Sequence, residues 1–221
     1  MKMNERSFSG RFFRPRPIVE AFDNSKSLLI AVPWGAKEPA ENVLQSTRES
    51  IVAVSGQHDP EMTVAIGQSA VVESVQQRMC RAVRLANEKN YLQYNAADYS
   101  SAAEFLGLVV EDKTLSWAQV GAIHLLIYNQ KGLQPLCYSP DWAWQIQQDA
   151  PLLCQGIGLD STCQIQTGSY RLLGNETVIC IARSYIPQQL FAAGSPDLEE
   201  LTRILAEESE QTPFWITTIH F

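Results

Sequence analysis

Charge is scarce in this chain. Only 19% of its 221 residues are Asp, Glu, Lys or Arg, below the roughly one quarter usual in soluble domains. The formal balance is −7 with a pI near 5.0. A chain of that sign draws no phosphate backbone towards itself, which sets nucleic acid aside as a partner. No run reaches the ~18 apolar residues of a membrane-spanning helix. The polar start Met1–Glu5 leads into no apolar signal core, so a cytoplasmic location without membrane contact is expected. The three histidines, His58, His124 and His220, are far apart in sequence, whereas a zinc site gathers about four N or S ligands. No metal or other cofactor is expected on that ground. The five cysteines are scattered, odd in number and never spaced C-x-x-C, which reads as reduced core thiols. There is no G-x-S-x-G elbow, no phosphate-binding P-loop and no G-x-G-x-x-G turn, so triad hydrolysis and nucleotide binding have no sequence support. Internal repeats and low-complexity tracts are absent as well.

Hydrophobic residues make up 45% of the chain, enough for one sizeable core, and residues 1–221 are expected to form a single domain. Lys2, Arg6, Arg11, Arg14 and Arg16 make the start basic, and residues 1–15 read as a flexible tail. Ser27–Val32 is a short apolar run stopped by Pro33 and Gly35, a buried core strand. Val43, Leu44, Thr47, Ile51 and Val54 recur at helical spacing over residues 40–55. Val72, Val75, Met79, Val83 and Ala86 do the same over 69–91. Residues 102–135 alternate apolar runs with turns and predict a three-stranded antiparallel meander. Asp141 is placed to cap a short helix carrying Trp142 and Ile146, with Trp142 and Trp144 unable to share one helix face. Two more strands are predicted at 163–171 and 177–182. Ser195-Pro196-Asp197 then reads as a helix start with Ser195 as the cap, and the β-rich run 214–221 closes the chain. Strands flanked by two long helices fit two packed sheets with helices outside, an α+β four-layer α-β-β-α sandwich.

Short motifs in this order resemble the PP2C-type (PPM) metal-dependent protein phosphatases over about two hundred residues. Arg16-Pro17-Ile18-Val19-Glu20-Ala21 stands where the family has R-x-x-N-E-D, and Val32-Pro33-Trp34-Gly35 where it has V-x-D-G. Ala40-Glu41 resembles the following helix start, and Ala86-Asn87 the end of the second helix. Ser100-Ser101-Ala102-Ala103 and the turn Ala118–His124 are similar to G-x-T-A and A-N-V-G-D-S-R. Gly156-Ile157-Gly158, Gly174-Asn175 and the strand Val178–Arg183 follow, the last at the place of L-L-C-S-D-G, with Thr212–Trp215 at the place of D-N-x-T. The hydrophobic frame is kept and the polar ligands are not.

In that family aspartates hold two divalent cations that activate a water for attack on phosphorus. The resemblance therefore implies a degenerate metal site at Glu20, Ala21, Pro33, Trp34, Ala122, Ala182 and Arg183, because hard cations need carboxylate oxygens and Glu20 alone anchors no cluster. It implies an inactive phosphatase homologue, a pseudophosphatase that binds a protein partner. Trp34, Lys37 and Arg183 are the candidate binding residues, suited to an acidic or phosphorylated segment. A salt bridge from Arg183 to Glu20 is expected. The alternative is an active Ser/Thr phosphatase or other hydrolase whose site is rebuilt from loop acids such as Asp59, Glu61 or Asp98.

Overall fold

Strand β3 (Ser27–Trp34) is buried along nearly all its length, yet its side chains divide between two cores. Leu28, Ile30 and Val32 enter one hydrophobic cluster, whereas Leu29 and Ala31 enter another. That division follows from the two-residue period of a strand, and it means β3 lies in a sheet covered on both faces. The computed structural model describes residues 1–24, 26–55, 73–146, 148 and 150–221.

Before β3 come β1 (Lys2–Phe8) and β2 (Ile18–Phe22), and after it helices α1 (Glu38–Ser55) and α2 (Val75–Asn90). Four strands follow: β4 (Ala102–Glu111), β5 (Thr114–Val120), β6 (Ile123–Asn129) and β7 (Gly132–Cys137). The single turn α3 (Trp142–Gln145) precedes β8 (Gln166–Arg171) and β9 (Thr177–Ala182). Helix α4 (Leu198–Glu208) and strand β10 (Phe214–His220) complete the order. Among the described residues these strands make two five-stranded antiparallel sheets, β1-β10-β9-β6-β7 and β2-β3-β4-β5-β8. Leu106, Leu108, Leu115, Ile123, Leu125 and Cys180 fill the space between the sheets. Helices α1 and α2 cover the outer face of the second sheet through Val43, Leu44, Val75, Met79 and Val83. Helix α4 covers the first sheet through Leu201 and Leu205. This is the expected α-β-β-α sandwich.

Local chemistry explains most boundaries. Ser74 caps α2 in a box with Gln77, each side chain satisfying the other's backbone N–H. Residues 69–72 of the expected helix, Val72 included, lie outside the described residues. The cap of α4 is Asp197 and not Ser195: its carboxylate accepts the Glu199 and Glu200 N–H groups at 3.0 and 3.1 Å, while the Ser195 hydroxyl donates to Glu200 at 2.7 Å. A carboxylate is the stronger acceptor at a helix N-terminus. Pro33 does not stop β3, which runs on to Trp34 while paired with β4.

Two further expectations are corrected. Residues 1–15 are not a flexible tail: β1 pairs with β10 from Lys2↔His220 to Phe8↔Phe214, so backbone pairing orders the basic start. The predicted meander is also split. β4 and β5 form a hairpin, but β6 pairs with β7 and β9 in the other sheet, because the chain changes sheets at Gly121-Ala122. Sequence adjacency suggests a third meander strand; burial of both sheets on one core decides otherwise.

Candidate functional site

One end of the sandwich gathers some of the positions that the family motifs single out. Trp34 closes β3 and packs towards the core between the sheets. Ala122 lies in the turn joining β5 to β6 and is buried, as is Ala182 at the end of β9. Glu104 stands on β4 opposite Val32 and shares the inward register of Leu106 and Leu108. It is a fully buried acid in an apolar strand.

The counter-charge is Arg14, from the segment that crosses from β1 in one sheet to β2 in the other. Its Nη2 donates to Glu104 Oε2 at 2.7 Å and to the Ala122 carbonyl at 3.3 Å. The Ala122 N–H donates to Glu104 Oε1 at 2.8 Å. Arg14 Nη1 stands 3.7 Å from Asp141 Oδ2, and the side chains of all three charged residues are at most 2% exposed. Asp141 takes further N–H groups from Ala143 at 2.8 Å and Leu152 at 3.3 Å, so it caps α3 as expected and also faces the guanidinium. The Trp34 ring lies over Arg14 at 5.6 Å, a cation–π contact. Gly121 makes room for the cluster: at φ +91° an added Cβ would sit 2.5 Å from Glu104 Cγ. The outcome is a buried cluster of one guanidinium and two carboxylates.

The other expected site residues are dispersed by strand alternation. Glu20 faces the helix side of its sheet and lines an open hollow of about 730 Å³ with Glu41, Gln45, Arg48 and Glu49. Ala21 is exposed on the edge strand and Pro33 is buried on β3. Arg183, one residue beyond Ala182, points to the opposite outer face. There it is wholly buried, donates Nη1–H to the Leu205 carbonyl of α4 at 3.0 Å and lies over the Tyr185 and Phe214 rings. Burial pulls its pKa below the ordinary arginine value. The expected Arg183–Glu20 salt bridge is therefore absent, with two sheets between the partners, and Arg183 is not a binding residue of this site. Lys37 is exposed, and its carbonyl accepts the Ala40 and Glu41 N–H groups that open α1. Arg16, also matched to the family, is an exposed partner of Glu5 at 2.7 Å.

His124 is fully buried next to this end. Its Nε2–H donates to the Arg183 carbonyl at 2.9 Å, and Nδ1 accepts the Ser139 N–H at 3.3 Å. Burial lowers its pKa to about 3, with the charges of Arg14 and Arg183 acting in the same direction. It is a neutral structural imidazole. Burial also pushes the Cys137 thiol up to about 11 and Cys180 higher still, whereas Cys80, Cys154 and Cys163 are half-buried and not core.

A two-cation centre does not fit this donor set. The family ligand places hold Ala21, Pro33, Ala122 and Ala182, and the two carboxylates that do converge are already engaged by Arg14. Among the described residues no group of three or more His, Cys, Asp or Glu is arranged to hold a metal ion. Asp59 and Glu61 lie outside the described residues, and Asp98 is exposed. Sequence reasoning missed Arg14 and Glu104. The signal for Glu104 was there, an acid in the inward register of Ala102-Ala103-Glu104-Phe105-Leu106. Arg14 carried none, because its neighbours read as a tail.

Two antiparallel sheets face to face with helices outside each define the architecture of the PP2C-type phosphatases. Solved structures bear this out over the whole chain. PppA, a key regulatory component of the T6SS in Pseudomonas aeruginosa, superposes with TM-score 0.66 at 9% identity, covering 100% of this chain and 97% of that one. The PPM Ser-Thr phosphatase MsPP from Mycobacterium smegmatis gives 0.66 at 13%, covering 100% and 98%. The serine/threonine phosphatase PstP from Mycobacterium tuberculosis gives 0.62 at 10%, covering 98% and 97%. No family model and no curated protein matches the sequence. The chain thus has the PP2C-type fold. No helix among the described residues is long and apolar enough to cross a membrane.

Proposed function

We propose that this chain is a pseudophosphatase: it performs no metal-dependent phosphoryl hydrolysis and acts as a regulatory module that binds a protein partner. The observation that carries this reading is the Arg14–Glu104–Asp141 cluster, which engages the converging carboxylates beside Trp34 and Ala122. Metal-dependent hydrolysis needs oxygen donors free to take a divalent cation and hold a water on it. Here one guanidinium engages both carboxylates. A fold kept without its reactive groups puts the function on a surface.

The surface we favour is the rim of this end. Phe13 and Trp142 are the chain neighbours of Arg14 and Asp141, and they are 80% and 59% exposed. Aromatic side chains in that setting serve as anchors at protein interfaces. Lys37 and Arg11 are exposed cations, and they suit an acidic or phosphorylated partner segment. A cytoplasmic setting is consistent with such a role.

The test has two arms. The purified chain is assayed on p-nitrophenyl phosphate and on a phosphoserine peptide with millimolar manganese, and no chelator-sensitive turnover is expected. Affinity capture from native extract then compares the wild type with a Lys37→Ala, Trp142→Ala double variant of unchanged melting temperature. Loss of the captured partner from the variant supports the rim. Equal recovery moves the interface to another face, and manganese-dependent turnover overturns the pseudophosphatase reading.

A further inference from the structure

We propose that the Arg14 guanidinium is the resident cation of this end of the fold: it permanently fills a buried oxygen site that takes a divalent metal ion once Arg14 is removed. The inference goes beyond the binding role and does not depend on it, since it concerns only what stabilises Glu104 and Asp141.

Two carboxylates buried to this depth cannot stand alone, because burying a charge without a partner is strongly unfavourable. Arg14 reaches both. Its Nη2 spans Glu104 Oε2 and the Ala122 carbonyl, at 2.7 and 3.3 Å, while Nη1 stands 3.7 Å from Asp141 Oδ2. The fit is incomplete in charge and in hydrogen bonds: one guanidinium faces two carboxylates, and Arg14 Nε and Nη1 are buried without an acceptor. A shape-matched pair would use the whole fork of the guanidinium. The oxygens here are satisfied chiefly by positive charge, the kind of demand a spherical cation also meets. With the guanidinium gone, Glu104 Oε2, Asp141 Oδ2 and the Ala122 carbonyl oxygen remain as the oxygens that faced it. Three hard oxygen donors, two of them anionic, form a set that manganese or magnesium accepts, with waters completing the shell.

The crossing segment holds the arginine in place. The Arg11 and Phe12 N–H groups donate to the Gln211 carbonyl at 2.9 and 3.3 Å. Gly10, at φ +59°, lies so close to Gln211 that a Cβ there would sit 2.4 Å from its carbonyl oxygen. Trp34 covers the guanidinium from above. A tethered cation at high effective concentration outcompetes millimolar free metal. The wild type is accordingly indifferent to divalent ions, although its fold is shared with metal-dependent enzymes.

The experiment is a set of melts on the full chain after chelator treatment, with and without millimolar manganese chloride, against potassium chloride of equal ionic strength. The variants are wild type, Arg14→Ala, Arg14→Lys and the double variant Arg14→Ala, Glu104→Gln. The melting temperature of Arg14→Ala should fall and then rise by about 3–5 °C at manganese tenfold above its dissociation constant. The wild type, Arg14→Lys and the double variant should not respond. No manganese response in Arg14→Ala, or an equal one in the wild type or the double variant, overturns the proposal. If Arg14→Ala is unfolded alone, it is refolded from urea with manganese or with methylguanidinium. Recovery of native near-ultraviolet circular dichroism with manganese supports the proposal, and recovery with methylguanidinium alone or with neither cation overturns it. Partner capture by the wild type is untouched by any of these outcomes, so the two readings fail separately.

Discussion

Arg14 and Arg183 are both buried, and their energetics differ because their neighbours do. Arg14 faces two carboxylates that have no other cation partner among the described residues, whereas Arg183 serves one carbonyl of α4 and two aromatic faces. Removing one member of a buried ion pair typically costs about 3–5 kcal/mol, because the other charge is left bare. Arg14→Met should therefore lower the unfolding free energy by about that amount in urea titrations, and Arg183→Met by less than half of it. Equal losses would mean that packing, not charge, sets the cost at Arg14. His124 gives a second prediction, on pH. Its folded-state pKa of about 3 lies below the ordinary 6.5, so the unfolded chain binds a proton there first. Its stability contribution is complete above pH ~6.5 and is lost as pH falls towards 3, by up to about 1.4 kcal/mol per pH unit. His124→Gln should flatten the acid limb of a stability-against-pH curve, and an unchanged slope between pH 6 and 4 would refute the neutral assignment.

At the scale of elements, turns and caps carry the decisions. The β5–β6 turn moves the chain from one sheet to the other, and it needs Gly121 both for its positive φ and for the passage of Glu104 beneath it. Gly121→Ala adds backbone strain and a clash with a buried charged side chain. It should cost at least about 2 kcal/mol, read as a lower urea midpoint with unchanged m-value. Asp197→Ala removes the side-chain N-cap of α4 and should cost about 1 kcal/mol, whereas Ser195→Ala should cost less. The reverse order would restore Ser195 as the cap. Helical and strand periods showed most elements directly in the sequence, since period and capping are local. The split meander did not show, because nothing near Gly121 says which sheet receives β6.

For the molecule as a whole, the two sheets share one interior, with Leu108 and Leu115 of one facing Leu125 and Cys180 of the other. Neither sheet keeps its inner face dry alone, so unfolding should be a single transition. Far- and near-ultraviolet circular dichroism should give coincident urea curves. Two separated transitions would show that residues 1–221 do not behave as one domain.

The sequence by itself determined the alternation that buries one face or both, the amphipathic stripes, the sandwich class and the absence of aspartates at the family ligand places. Each of these depends on residue order over a few positions or on one residue at one place. Only the tertiary structure decided what stands there instead. Arg14 and Glu104 are 90 residues apart, and Arg14 and Ala122 are 108 apart; they meet because the segment between β1 and β2 crosses the end of the sandwich after the sheets have closed. The same closure sends Glu20 and Arg183 to opposite outer faces. Side-chain direction along a strand follows a local rule, but which face becomes interior is settled by the packing of two sheets, and with it which charges lose water and must find each other.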